Sequence, residues 1–456
     1  MKQSTLITIC LVVLMVFGWM SGFMSIGDKN EKENEYEAYL ADAKEYLGRG
    51  LYQKAAQEYE KAISLNNTEE LWTDMIDAYE ACYAENKSVY DDYQTELKSA
   101  ISQYSSNAEF QCKLTQLYIS KGEYEDAYKT AKKAVENGIN NDELNQLYLE
   151  TKYAYDIDWN AYQDYRGLSE GYYAVNHNGI WEYLAEDGTA VEVEEARMAG
   201  SIGEDGNRMI ASPVKTSKET ASMQLDSTEE KIELQAKVIN TDKVVQGYFA
   251  KVPQDVGIYA DGLIPVKYED QYAYYNLMGD KQFGDYIEAG KFTDGKAAVQ
   301  DKTGWYLIDT TGAKASETVY EEIVLNPDGT YIKKNVMLAK KDGAYHLYKG
   351  DKEIGSYEAA DVVTDDGIVA VCIGGKWGFI DTDGNEVLAP TYAEARSFSN
   401  GLAAVSDGKK WGFIDRKGTL VIDYTFAGAD YFNSKMNCLV EESPGNWKML
   451  LLYNKK

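Results

Sequence analysis

The spacing of apolar residues predicts helices in the first part of the chain. One motif places Gly50, Ala55, Tyr59 and Ala62 at fixed offsets, and a second repeats it with Gly122, Ala127 and Ala134. The two copies lie 72 residues apart, which leaves room for a degenerate copy around Trp72, Tyr79, Tyr93, Leu97 and Ala100. Small alanines on one helix let its partner approach closely. The pattern therefore predicts three stacked helical hairpins over residues 36–137, followed by a capping helix from Asp142 to Tyr165.

This helical pattern resembles the helix–turn–helix signature of the tetratricopeptide repeat (TPR) family. The middle unit departs from it, with Ser88 in place of the turn glycine and Tyr93 in place of the first alanine. The resemblance implies a solenoid with a concave groove that binds a peptide or another protein. The groove residues would come from the first helix of each hairpin, and the candidates are Tyr39, Tyr46, Trp72, Tyr79, Gln111 and Tyr118. Packing between helices is the alternative role for each aromatic residue in this set.

The second part of the chain carries a different repeat, built from short strand-like segments. The segments Trp377-Gly378-Phe379-Ile380-Asp381 and Trp411-Gly412-Phe413-Ile414-Asp415 follow Ala/Val-rich runs, and Asp-Gly, a strong hairpin signal, occurs nine times after residue 166. Looser copies place aromatic anchors at Trp181, Tyr272, Trp305, Tyr345 and Trp447. In the strand from Trp411 to Ile414 neither face is polar, so we expect the strand to be covered on both sides. Gly412 would let a large side chain of a neighbour approach closely.

The Trp-Gly pairs at 377–378 and 411–412 resemble the WG-repeat family of bacterial proteins. The resemblance covers roughly 290 residues, strongly in two copies and weakly elsewhere. It implies a repetitive all-β domain of about seven or eight units that binds protein or ligand and has no established catalytic residues. Closure removes exposed sheet edges, so we expect a propeller-like array, with an open β-solenoid as the alternative.

The distribution of proline and glycine divides the chain into two parts. All six prolines lie at or after Pro213, and only seven of the 38 glycines fall in residues 1–166. Because these residues mark turns, we predict a helical domain over 28–166 and a β domain over 167–456.

The N-terminus carries 21 uncharged residues from Leu6 to Ile26, preceded by Lys2. A membrane-spanning helix needs about 20 apolar residues, so the segment predicts an uncleaved anchor over residues 1–27. A cleaved signal peptide is the alternative. The fold class expected for the whole chain is thus a transmembrane helix, an all-α TPR-like solenoid and an all-β repeat domain. The expected localisation is the cell membrane, with a single pass and the bulk of the chain outside the cytoplasm.

The net charge of the protein limits the classes of partner that it can bind. Lys plus Arg number 46 against 75 Asp plus Glu, a net charge of −29, which argues against nucleic acid because phosphate binding needs a cationic surface. Residues 28–166 carry 29 acidic and 15 basic side chains, so the helical domain alone has a net charge of −14.

Signatures of catalysis and of cofactors are not found in the sequence. It has no Walker loop, no zinc-protease motif, no Gly-x-Ser-x-Gly and no Cys-x-x-Cys. The segment from Asp381 to Asn385 is similar to the start of a calcium loop, but Tyr392 occupies the position of the bidentate glutamate, which favours a hairpin turn. The cysteines are interpreted as isolated buried thiols, with a Cys82–Cys112 disulfide as the alternative. We therefore expect no enzyme activity, no catalytic residue, no metal and no cofactor.

Two functions follow from these patterns. The first is a non-catalytic, membrane-tethered scaffold outside the cytoplasm that recruits a protein or peptide through the helical repeats. The alternative is a cell-envelope module that binds glycan or another ligand through the β domain. The high tyrosine content, 38 residues, is compatible with the alternative because aromatic rings can stack on sugars.

Overall fold

The structure, a computed structural model, describes residues 31–217 and 230–453. The chain divides between Lys152 and Tyr153 into two compact units, one helical and one built of strands. The described helices are α1 (31–48), α2 (Tyr52–Leu65), α3 (Glu69–Glu85), α4 (Tyr90–Gln103), α5 (Ala108–Ser120), α6 (Tyr124–Glu136) and α7 (Asp142–Lys152), with a short 3-10 helix at Lys87–Val89.

Local sequence signals set where the helices begin and end. Thr68 and Asn107 cap α3 and α5, because their side chains accept hydrogen bonds from the free N–H groups of Leu71 and Phe110. Gly50 and Gly122 follow α1 and α5 with φ of 70° and 76°, a left-handed conformation that glycine adopts without steric cost. The middle hairpin has no such glycine. Its turn is held instead by Asn86, whose Oδ1 accepts from the backbone N–H of Ser88 at 3.1 Å.

Alanine allows the paired helices to pack closely. Ala55, Ala62, Ala127 and Ala134 are at most 1% exposed, and Tyr59 is 2% exposed. Tyr93 takes the place of an alanine in α4 and lies buried, with its ring stacked on Tyr79 at 6.4 Å between centroids. One apolar cluster runs from Ala43 in α1 to Ala127 in α6, so the hairpins share a common core.

The second unit contains eight separate antiparallel sheets, each the blade of a β-propeller. Blade 1 holds β2 (Asp164–Ser169), β3 (Tyr172–His177), β4 (Ile180–Ala185) and β5 (Ala190–Ala196). Blade 2 holds β6 (Met198–Ala199), β7 (Arg208–Ser217), β8 (Glu230–Ile239) and β9 (Val245–Phe249). Blade 3 holds β10 (Asp255–Val256), β11 (Ile264–Tyr268), β12 (Gln271–Tyr275) and β13 (Lys281–Tyr286), and blade 4 holds β14 (Glu288–Ala289), β15 (Lys296–Asp301) and β16 (Gly304–Asp309).

The other four blades continue the repeat. Blade 5 holds β17 (Glu322–Ile323), β18 (Ile332–Lys333), β19 (Val336–Lys341), β20 (Ala344–Lys349) and β21 (Lys352–Tyr357). Blade 6 holds β22 (Ala359–Ala360), β23 (Ile368–Ile373), β24 (Lys376–Asp381) and β25 (Glu386–Tyr392), and blade 7 holds β26 (Glu394–Ala395), β27 (Leu402–Ser406), β28 (Trp411–Asp415) and β29 (Leu420–Phe426). Blade 8 combines β30 (Gly428–Ala429), β31 (Asn437–Ser443) and β32 (Asn446–Leu452) with β1 (Tyr155–Ile157).

The β-propeller-like fold predicted for the repeats is confirmed. The strand β1 comes from the start of the unit and pairs with β32 at its end, so the last blade is completed by the first strand. This pairing closes the array and covers an edge that would otherwise be exposed. An open β-solenoid would have no such pairing between its two ends.

The fold class predicted for the whole chain is nevertheless wrong. Among the described residues the helical part is a short unit of seven α-helices packed on two apolar clusters rather than an extended all-α solenoid, because three hairpins and one further helix are too few to form one. In the described part of the chain, no helix has the length and apolar character needed to span a membrane. The 17-residue helix α3, for example, carries six acidic side chains. The predicted membrane localisation is therefore not supported, and the segment 6–26 on which it rested lies outside the described residues.

Candidate protein-interaction sites

The predicted groove residues of α3 and α5 are packed inside the helical unit. Trp72, Tyr79, Gln111 and Tyr118 are between 6% and 9% exposed. The indole Nε1 of Trp72 donates to Asn67 Oδ1 at 2.7 Å, and Gln111 Nε2 donates to the carbonyl of Ser105 at 3.3 Å. Each of these polar groups is thus already engaged within the unit, and their role in binding a partner stays a prediction.

The two candidates in α1 are half-buried and lie beneath lysines of the next helix. The Lys61 ammonium lies 5.4 Å from the ring centroid of Tyr39, and that of Lys54 lies 5.6 Å from the ring of Tyr46. Tyr118 has the same relation to Lys98, at 5.7 Å. These cation–π contacts join the first helix of a hairpin to a second helix, which is a packing role.

The exposed side of α3 and α5 carries carboxylates grouped around one lysine. Lys113 Nζ lies 3.1 Å from Asp77 and 3.5 Å from Glu109, and it also pairs with Glu80. The lysine side chain is only 13% exposed, whereas each of the three carboxylate side chains is about half exposed. We call these four residues, with Asp74, the acidic face.

Electrostatics confirm that this face is rich in negative charge. Burial lowers the pKa of Lys113, but the hydrogen bonds and charges of Glu80 and Asp77 outweigh it and the pKa is raised. The pKa of Asp74 is also raised, first by burial and then by the charges of Glu70 and Asp77, while Lys44 opposes the shift. A carboxyl with a raised pKa and carboxylate neighbours gains from an added cation.

The residues of the acidic face were not among the candidates named from the sequence, although the sequence contains the signal for them. Asp74, Asp77 and Glu80 recur at three-residue intervals along α3, and Glu109 and Lys113 are four apart on α5. Residues at these spacings share one side of a helix. The candidates chosen from the sequence on α3 and α5, which are Trp72, Tyr79, Gln111 and Tyr118, occupy the opposite, buried side of these helices.

In the propeller, the aromatic anchors take equivalent places in the third strand of their blades. Five of the seven are paired with the end of the outer strand, as in Trp377 with Tyr392 and Trp411 with Phe426, whereas Trp305 and Trp447 pair with Tyr320 and Tyr162 outside the named strands. Trp305 is buried, and Trp181, Trp377, Trp411 and Trp447 are half-buried. In blade 2 the same place is taken by Ala236, opposite Phe249, which explains why no anchor was found there.

The glycines of the Trp-Gly pairs allow the outer strand to cross at close range. A Cβ on Gly412 would lie 2.6 Å from the carbonyl oxygen of Ile422, and a Cβ on Gly378 would lie 2.7 Å from the nitrogen of Pro390. The neighbour that approaches is therefore backbone of the same blade, not the large side chain expected from the sequence. Both pairings also shift register at this point.

Charged residues alternate in sign at equivalent positions in, or directly after, the inner strands of four successive blades. The equivalent positions hold Asp361 in blade 6, Arg396 in blade 7, Asp430 in blade 8 and Arg166 in blade 1. Arg396 Nε donates to the carbonyl of Ala429 at 2.7 Å, and Arg166 Nε repeats this bond to Ala199 at 2.8 Å. Each arginine thus ties its own blade to the next one.

The buried members of this group have shifted acidities. Burial raises the pKa of Asp430, although the nearby Arg396 opposes the shift. The pKa of Arg396 is raised, because Tyr431, Asp361 and Asp430 together outweigh its burial. The Tyr431 hydroxyl lies 2.8 Å from both oxygens of Asp361, to which it donates.

A cavity of about 200 Å³ lies next to these residues, lined by blades 1, 5, 6, 7 and 8. The loop of blade 5 at Pro327 reaches toward blade 1, where a Cβ on Gly167 would lie 2.7 Å from Pro327 Cβ. Lys333 in the cavity wall lies 3.1 Å from Asp328 and 3.4 Å from Asp365. The ammonium is thus matched by carboxylates of the protein itself.

Metal binding finds no support within residues 31–217 and 230–453, where no group of three or more His, Cys, Asp or Glu side chains could hold an ion. The calcium-like segment is a hairpin turn, since Asp381 Oδ1 accepts from the backbone N–H groups of Asp383 and Asn385 at 2.9 Å.

Cys82, Cys112, Cys372 and Cys438 are buried free thiols, so the alternative Cys82–Cys112 disulfide is wrong.

Comparison with known proteins supports the repeat content. Residues 377–411 and 411–438 match the family model described as WG containing repeat. The TPR repeat-containing protein MJ1428 of Methanocaldococcus jannaschii is 33% identical over 119 residues, which are 26% of this chain and 20% of that protein. The chain therefore matches about a fifth of the length of this curated relative.

Several solved structures are distantly similar. PorZ, a surface component of the type-IX secretion system of Porphyromonas gingivalis, has 8% identity and a TM-score of 0.32 over 65% of this chain and 46% of its own. The extracellular domain of the hybrid two-component system BT4673 from B. thetaiotaomicron has 11% identity and a TM-score of 0.33, over 67% of this chain and 44% of its own. Similarities of this size are too low to indicate a function.

Proposed function

We propose that the protein is a non-catalytic interaction scaffold whose helical unit binds a basic segment of a partner protein. The observation that carries the proposal is Lys113, one ammonium held by three carboxylates of α3 and α5. The acidic face thus keeps uncompensated negative charge after its own lysine is paired. The propeller with its WG repeats, an architecture suited to protein interaction, would present a second surface.

Charge determines the kind of partner. The acidic face belongs to a helical unit whose residues 28–152 carry 26 acidic and 14 basic side chains, so a segment with Lys or Arg at helical or extended spacing would be attracted. Because Asp77, Glu80 and Glu109 are about half exposed, salt should screen this attraction strongly. The buried aromatic residues behind the face would hold its two helices in place rather than contact the partner.

The absence of a catalytic motif from the sequence supports the non-catalytic part of the proposal. Lys113, Arg166 and Arg396 are engaged in ion pairs or hydrogen bonds between helices or blades. They do not form a nucleophile with an adjacent base, which acyl or phosphoryl chemistry would need.

The test uses the full chain and a labelled peptide with Lys or Arg at three- and four-residue intervals, with fluorescence anisotropy as the readout. The first variant combines Asp77→Asn, Glu80→Gln, Glu109→Gln and Lys113→Met, which removes the network without leaving an unpaired lysine. We expect its affinity for the peptide to fall at least about 10-fold, and wild-type affinity to fall as salt rises.

The matched control is Glu60→Gln with Asp126→Asn. It changes the net charge by the same amount, and both residues are exposed on second helices, α2 and α6. It should bind the peptide within about 2-fold of wild type. Equal binding by the folded first variant and the wild type would contradict the proposal.

A further inference from the structure

The contact between blades 2 and 3 is a close approach of backbone to backbone. Phe283, Leu388 and Ile422 occupy equivalent positions in the outer strands of blades 3, 6 and 7. In blade 2 this position is held by Gly247. A Cβ on Gly247 would lie 2.1 Å from the carbonyl oxygen of Leu277 in blade 3. Backbone of blade 3 therefore occupies the space that a side chain fills in blades 3, 6 and 7.

A pocket of about 350 Å³ lies beside this contact. It is bounded by the end of β9, the hairpin of β11 and β12, and the start of β13. Gly279 belongs to the pocket wall, and a Cβ there would lie 2.5 Å from the Tyr248 carbonyl, so the same backbone contact closes one side. Its volume is near the lower end of the range for small-molecule sites, about 300–1,000 Å³.

Three aromatic rings form the apolar part of this pocket. The rings of Phe249 and Tyr275 are 5.6 Å apart, and those of Tyr268 and Tyr275 are 5.9 Å apart in an edge-on arrangement. The Tyr268 hydroxyl is fixed by donating to the Lys251 carbonyl at 2.9 Å, and burial raises the pKa of Tyr268 to about 12. Within the described residues the Tyr275 hydroxyl has no hydrogen-bond partner.

The polar part of the pocket is electrically balanced, in contrast to a chain of net charge −29. Its charged residues are Lys251, Lys281, Glu269 and Asp285. Lys281 lies 2.7 Å from Asp285, whereas Lys251 and Glu269 are 3.9 Å apart and both largely exposed. The amide of Gln271 is exposed and makes no hydrogen bond with the described part of the chain.

The aromatic rings and the balanced charges of the pocket together favour one class of ligand. An anion would meet Glu269 and Asp285, a cation would meet Lys251 and Lys281, and an apolar molecule would desolvate all four charges without compensation. A neutral molecule with an apolar face and several hydroxyl groups suits both parts. A sugar has this character: its C–H face packs on aromatic rings, and its hydroxyls pair with amide, carboxylate and ammonium groups.

We propose that the pocket between blades 2 and 3 binds a neutral carbohydrate. Tyr275 and Tyr268 pack against the sugar, and Gln271 with the Lys281–Asp285 pair accepts and donates hydrogen bonds to its hydroxyls. This site is separate from the basic-segment binding proposed for the helical unit, so either can fail without the other.

The test applies the full chain to an array of neutral and acidic oligosaccharides and measures affinity for the best neutral sugar by calorimetry. We expect binding of at least one neutral oligosaccharide, with little dependence on salt. Gln271→Ala and Tyr275→Ala should each weaken it at least about 10-fold, whereas Tyr275→Phe, which keeps the ring, should stay within about 3-fold. The Gln271 side chain is exposed and makes no hydrogen bond with the described part of the chain, so misfolding would not explain weaker sugar binding by Gln271→Ala.

The matched control is Trp159→Ala, because Trp159 is 94% exposed and lies outside the pocket. It should bind the sugar as the wild type does. The proposal is overturned if no neutral oligosaccharide on the array is retained. It is also overturned if Gln271→Ala and Tyr275→Ala bind as well as wild type, or if only acidic sugars bind in a salt-dependent way.

Discussion

Tyr155 lies directly opposite Leu452 in the antiparallel pair that joins β1 to β32. These two residues belong to the first and last strands of the propeller, so their pairing connects the ends of a ring of eight blades. The pairing makes β1 the outer strand of blade 8 and closes the ring. Its stability should therefore depend on this short strand.

A disulfide across this pair should stabilise the propeller. In the variant Tyr155→Cys with Leu452→Cys, we expect the oxidised form to be more stable than the reduced form by about 2–4 kcal/mol, because the cross-link restricts the unfolded chain. Melting curves of the same protein with and without reductant provide the comparison, and Leu452→Cys alone is the control for lost packing. Identical curves would show that the ends are not held together as described.

The residue after the Trp-Gly pair should matter more for stability than the tryptophan itself. Phe413 is fully buried, with its ring 4.9 Å from Phe432 and 6.3 Å from Phe426. Phe413→Ala should cost about 3–5 kcal/mol, the range for a large buried aromatic residue. Trp411 is half-buried beneath Arg396, so Trp411→Ala should cost only about 1–2 kcal/mol. Denaturant unfolding of both variants tests this prediction. A larger loss of stability for Trp411→Ala than for Phe413→Ala would contradict it.

The strand repeat was predictable because its signals are local. Trp377, Trp411 and the Asp-Gly turns indicate hairpins by residue type alone. Blade 2 lacks these signals, because Ala236 takes the place of the aromatic anchor and the two central strands are ten residues long. The role of β1 was not predictable, because nothing in residues 155–157 shows that their partner lies almost 300 residues away. The acidic face was missed for a related reason: aromatic residues mark the packing side of a helix, and the exposed side must be found from the charges between them.

The Trp-Gly glycine should not tolerate even a methyl group. A Cβ on Gly412 would lie 2.6 Å from the Ile422 carbonyl oxygen and 2.9 Å from the Asp423 carbonyl carbon, so the outer strand would have to move. We expect Gly412→Ala to destabilise the propeller by about 1–3 kcal/mol, the usual cost of overpacking. The control is Gly48→Ala at the end of α1, where no atom lies within 4 Å of the added Cβ. It should be neutral or stabilise the helical unit by up to about 1 kcal/mol, and equal losses in the two variants would contradict the close-approach explanation.

Acid should weaken the link between blades 1 and 3. Arg166 Nη2 donates to Asp255 at 2.7 Å, and the Tyr272 hydroxyl also donates to this carboxylate. Burial raises the pKa of Asp255, but Arg166 and Tyr272 outweigh it, so the pKa lies below its ordinary value. A carboxyl whose pKa is depressed by folding stabilises the folded state above its unfolded pKa of about 4, and this stabilisation is lost as pH falls through the folded value.

The prediction compares wild type with Asp255→Asn by denaturant unfolding between pH 2.5 and 7. Above about pH 4 the variant should be less stable by a constant amount, and below that the difference should shrink toward zero because the wild-type carboxyl becomes protonated. The exposed Asp351 provides the control, since Asp351→Asn should follow the wild-type curve throughout. A difference for Asp255→Asn that stays constant down to pH 2.5 would mean that the Arg166–Asp255 pair contributes through packing and not through charge.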